Sequence, residues 1–131
     1  MGYTHYWRQS RRMTDDEWSA VTDGARKIVD VSRRLRIRLA GPVGDGEPVF
    51  TDESLSFNGS FDADEDYETF YLTRGPNDFS FCKTARNPYD AAVVAVLIHA
   101  HNAAPDAFSW SSDGSDDEHI DGRNVLKAAL G

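Results

Sequence analysis

The sequence predicts a single α+β domain over residues 1–131: a small mixed, mainly antiparallel sheet packed against two main helices, with a short C-terminal helix. Three observations lead there. The length suits one ordinary domain, and 40% apolar with 11% aromatic residues is enough for a packed core without metal or disulfide. Two segments carry helical periodicity. Between and around them lie short segments of period two, separated by turn residues.

Tyr3 to Arg8 alternates Tyr3/His5/Trp7 with Thr4/Tyr6/Arg8 and reads as a strand. Thr14 opens the first helix, with Glu17 completing a capping box and Asp15 and Asp16 in the first turn. Trp18, Val21, Ala25, Ile28, Val29 and Ser32 recur at three- and four-residue spacing and mark its buried face. Arg33, Arg34, Arg36 and Arg38 stand at or beyond its end, where cations suit the helix dipole. Turn residues make Gly41–Pro48 a loop. Three strands follow, marked by Leu55/Phe57, Phe70/Leu72 and Phe79/Phe81. The second helix takes Asn87 as N-cap and Pro88 as first residue; Ala91 through Ile98 is apolar on every side, so it is covered on more than one face. Phe108 to Ser112 reads as a last strand and Gly122 to Leu130 as a short helix.

Charge and chemistry narrow the function. Net charge is −8, yet residues 1–38 carry nine Lys/Arg against five Asp/Glu and the remainder five against seventeen. An acidic surface repels phosphate backbones and anionic membranes, which excludes general nucleic-acid or membrane binding. The longest apolar run falls well short of the ~20 residues of a span. A lone Cys82 permits no intrachain disulfide, and the N-terminus has no signal-peptide pattern; both suit a cytoplasmic protein. Cys82 lies in an apolar strand, where an inert thiol is expected. Asp62–Asp66 concentrates carboxylates without the glycine and glutamate of an EF-hand, and His99/His101 are two apart, so neither holds a metal. No catalytic residue, metal or cofactor is expected.

The site expectation rests on topology. If the strands around Phe79 and Trp110 run parallel, their C-terminal ends share the sheet edge where open α/β sheets place ligands. One end, Lys83-Thr84-Ala85-Arg86-Asn87, offers two cations, a hydroxyl and a helix N-terminus to an anion. The other, Ser111-Ser112-Asp113-Gly114, adds hydroxyls and a carboxylate for sugar or base. Tyr3, His5 and Trp7 supply stacking surfaces if their strand adjoins that edge.

Gly2-Tyr3-Thr4-His5-Tyr6-Trp7, Phe81-Cys82-Lys83-Thr84-Ala85-Arg86-Asn87-Pro88-Tyr89-Asp90 and Ser111-Ser112-Asp113-Gly114 resemble a family of small proteins encoded by tailed bacteriophages and prophages. The resemblance runs over nearly the whole chain. Members often have Lys at the position of Asn87 and a Trp at that of His119. The family implies context rather than mechanism: an accessory protein acting on the host, including against its immune systems. The leading expectation is therefore a non-enzymatic binder of a phosphorylated small molecule, nucleotide-like, sequestering a host signal and able to form a homo-oligomer. The alternatives are an acidic inhibitor or DNA mimic acting on a host protein, and a small enzyme.

Overall fold

A computed structural model describes residues 3–131, so Gly2 of the first motif lies outside the described residues. The first strand, β1 (Thr4–Gln9), turns His5, Trp7 and Gln9 inward and leaves Thr4, Tyr6 and Arg8 on the other face. Helix α1 (Asp15–Arg34) starts on the expected capping box, the Thr14 hydroxyl accepting from the Glu17 amide and the Glu17 carboxylate from the Thr14 amide. Its buried face contains all six expected residues together with Gly24.

Two very short strands absent from the sequence reading, β2 (Leu39–Ala40) and β3 (Val49–Phe50), pair with β4 (Ser54–Gly59), which also pairs with β5 (Phe70–Thr73). Then come β6 (Asn77–Lys83), α2 (Asp90–Ala103), β7 (Phe108–Ser112), a short 3-10 turn and α3 (Ile120–Leu130). The strands divide between two sheets, and every pairing is antiparallel. One has the order β6-β1-β7; the other gathers β2, β3 and β5 around β4.

Both β6 and β7 run antiparallel to β1 and hence parallel to each other, with β1 inserted between them. Their C-terminal ends therefore share one edge even though the two strands do not pair. Helix α2 crosses between them, buried from Ala91 through Leu97 because α1, α3 and β7 cover it on different sides. Trp7 and Phe57 both pack on Phe70, each with ring centroids 5.3 Å apart, joining the two sheets in one core that extends to the helices. The chain is thus a single α+β domain. Among the described residues no helix is long and apolar enough to cross a membrane.

Candidate functional site

The three motif segments meet at the shared edge, where they form a closed hydrogen-bonded cluster. His5 is fully buried. Its Nε2 lies 2.5 Å from Asp90 Oδ1 and its Nδ1 2.8 Å from Ser112 Oγ. Buried Thr84 donates to the same Asp90 oxygen at 2.6 Å. The carboxylate favours the proton on Nε2, which leaves Nδ1 to accept the Ser112 hydroxyl. Ser112 Oγ in turn accepts the Gly114 amide at 2.9 Å. The chain Ser112–His5–Asp90 has the order of a nucleophile, base and orienting carboxylate. His5 has no exposed surface, and the clefts of about 490 and 320 Å³ bordering this sheet are lined by none of the three. Their hydrogen bonds tie β1, β7 and α2 together.

Tyr3 and His119 complete the cluster, with ring centroids 5.1 and 6.0 Å from that of His5. Burial, and then the charge of Asp90, push the Tyr3 phenol above its ordinary range. Burial and the adjacent His5 lower His119, whose Nε2 has no hydrogen-bond partner among the described residues. Gly114 passes so close to the Tyr3 hydroxyl that a Cβ would collide with it.

This closure disperses the anticipated anion cradle. Thr84 turns inward to Asp90 and presents no hydroxyl to a phosphate. Arg86 pairs with Glu118 at 2.9 Å and lies 4.2 Å over the Tyr3 ring. Asn87 does not cap α2: its amide donates to the Asp66 carbonyl at 3.0 Å, and the helix begins three residues later at Asp90. Lys83 leans over the Tyr67 ring, 5.9 Å from its centroid. Asp113 accepts from the Thr4 amide and the Tyr6 hydroxyl. Trp7 is core rather than a stacking surface, as is Tyr3. Cys82 is buried and its thiol pushed up to about 12 by burial, so it stays protonated.

The opposite face of the same sheet is open. Because His5 and Trp7 stand opposite Cys82 and Ser80, the register turns Phe81 out beside Tyr6, with Phe79 next along β6. Phe79 and Phe81 are each 55% exposed. Tyr6 stacks on Phe79 with centroids 5.9 Å apart and planes at 28°, and Phe79 lies 6.0 Å from Phe81. Lys83 and Thr4 form one end of this platform, Arg8 and Ser109 the other, with Ser111 beside Tyr6. A cleft of about 320 Å³ opens along it, lined by Tyr6, Arg8, Phe79, Ser109, Trp110 and Ser111 among others. Arg8 makes no ion pair among the described residues.

Of the ten expected site residues, Ser111 and Lys83 border this face, and Tyr6, Arg8, Phe79 and Phe81 went unrecognised. The alternation of Phe79/Phe81 with Ser80/Cys82 does signal two faces. It is the pairing with β1 that decides which one is outside. Comparison with known proteins gave no matching family model, no matching curated protein and no matching solved structure.

Proposed function

We propose that this protein is a non-enzymatic binder of a phosphorylated, base-bearing small molecule, held on the open face of the β6-β1-β7 sheet. The observation that carries this reading is the uncovered group of three adjacent rings, Tyr6, Phe79 and Phe81, between the cations Arg8 and Lys83. Water is a poor neighbour for three rings at once, and stacking on a nucleobase is worth about 1–3 kcal/mol per base. Arg8 is free to meet a phosphate, while the Ser109 and Ser111 hydroxyls suit sugar oxygens. For a phage-encoded chain, the consequence of such binding would be sequestration of a host nucleotide signal.

The test is a thermal-shift and tryptophan-fluorescence screen against nucleotides, cyclic oligonucleotides and sugar phosphates. Trp110 stands opposite Trp7 on the inner side of the same sheet and borders the cleft, so its emission is a secondary readout beside the thermal shift. A ligand at one hundred times its Kd stabilises the fold by about 2.7 kcal/mol. The shift should disappear in Phe79→Ala/Phe81→Ala and weaken in Arg8→Ala, each ligand-induced shift being measured from the variant's own unligated Tm, since the half-exposed rings also contact one another. A flat screen overturns the reading and moves attention to the acidic loops, where Val43 and Phe61 stand 79% and 67% exposed.

A further inference from the structure

Resting on that reading, we propose that the ligand is a short run of nucleotides carrying at least two bases, and that the platform sets an upper as well as a lower limit on its length. The lower limit comes from the rings. Tyr6, Phe79 and Phe81 lie about one ring apart at 5.9 and 6.0 Å, so a single base leaves part of the aromatic surface wet, whereas two adjacent bases cover it. The cations point the same way. Lys83 is opposite Thr4, and Arg8 stands four residues further along β1, a strand length of about 13 Å. Lys83 leans away from Arg8, toward Tyr67 beyond β6, so the two address different phosphates.

The upper limit comes from carboxylates at each end. Asp113 follows Ser111 and Ser112 at the Lys83 end, held by the Thr4 amide and the Tyr6 hydroxyl. At the other end Asp78 and Asp106 line the adjoining cleft together with Arg8 itself. A third or fourth phosphate running off either end meets negative charge on a molecule already at −8. Favourable contact is confined to the width of the platform.

The experiment measures Kd for 5′-AMP, the linear dinucleotide pApA, cyclic di-AMP, and tetra- and octa-adenylate, each over a range of salt. The expected result is roughly a tenfold gain from AMP to a dinucleotide, from the second stacked base. Per dinucleotide register (three in the tetramer, seven in the octamer), the tetramer and octamer should then lie within about twofold of the dinucleotide, and the salt slope near −1.4, for two phosphate contacts on a single strand. Phe81→Ala should lower the dinucleotide's affinity toward that of AMP while the protein still unfolds in one cooperative transition. AMP binding as tightly as pApA and cyclic di-AMP overturns this inference and leaves the binding reading standing. Affinity per register that climbs steadily through the octamer, with a steepening salt slope, overturns the length limit. Failure of every arm, AMP included, overturns the binding reading itself.

Discussion

Asp90 is the residue on which the motif cluster turns. One of its oxygens accepts from both His5 and Thr84, and neither partner has exposed surface. Removing the carboxylate leaves two buried polar groups unpaired, at about 1–3 kcal/mol each. Asp90→Ala should therefore lower the urea midpoint sharply while leaving the slope of the transition unchanged; a midpoint within error of the parent would show that the cluster carries no stability. Such a role is invisible in the sequence, where Thr84, Arg86 and Asn87 display the right residue types for a phosphate and nothing reports where they face. Ala85 and Arg86 both adopt left-handed backbone, with φ of 55° and 60°, at positions where the sequence offers no glycine to announce it. That turn swings Arg86 onto Tyr3 and away from the expected cradle.

Among the elements, the helices were the most legible and the sheets the least. The face of α1 could be read because its apolar spacing and capping box agree, and the all-apolar α2 announced its own burial. The two-residue strands β2 and β3 carry no periodicity to detect. The outward turn of Phe79 and Phe81 follows from the register with β1, a long-range fact. Close helix packing makes a separate prediction. A Cβ on Gly24 would meet the His99 ring of α2, and one on Gly122 would meet Val94. Gly24→Ala and Gly122→Ala should each cost about 1–3 kcal/mol through overpacking despite alanine's better helix propensity. Gly75, with open space around its Cα, is the control. Thermal melts showing all three variants alike would contradict this packing.

For the whole molecule, acid is the expected weakness. Glu17 is held down to about 2, chiefly by its hydrogen bonds with Arg11, and arginine partners also lower Asp15, Glu53 and Glu118. Each has a lower pKa folded than unfolded, so its contribution is present above the unfolded value, 4.5 for the glutamates and 3.8 for Asp15, and is lost as pH falls below it. His119, kept neutral by burial, acts in the same sense from its ordinary 6.5 downward. Tm should hold above pH 7, decline as pH passes below 6.5 and fall faster below 4.5; equal Tm at pH 3 and pH 7 would refute this. The exposed pairs among them are screened by salt, so the lower part of the decline should flatten in 1 M NaCl.

The insertion of β1 between β6 and β7 also fixes an order of events in the cell. Tyr6 finds one partner at Phe81 and the other at Ser111, and His5 reaches Ser112 across 107 positions of chain. On the ribosome β1 emerges ahead of both neighbours, and its aromatic side chains wait unpaired until β6, about seventy residues on, and then β7, about a hundred on, have been made. Completing this sheet is therefore a late step with a large loop-closure cost, which makes folding slow for a chain of this size. Until then β1 is an aromatic-rich strand with both edges unpaired, open to pairing with a wrong strand.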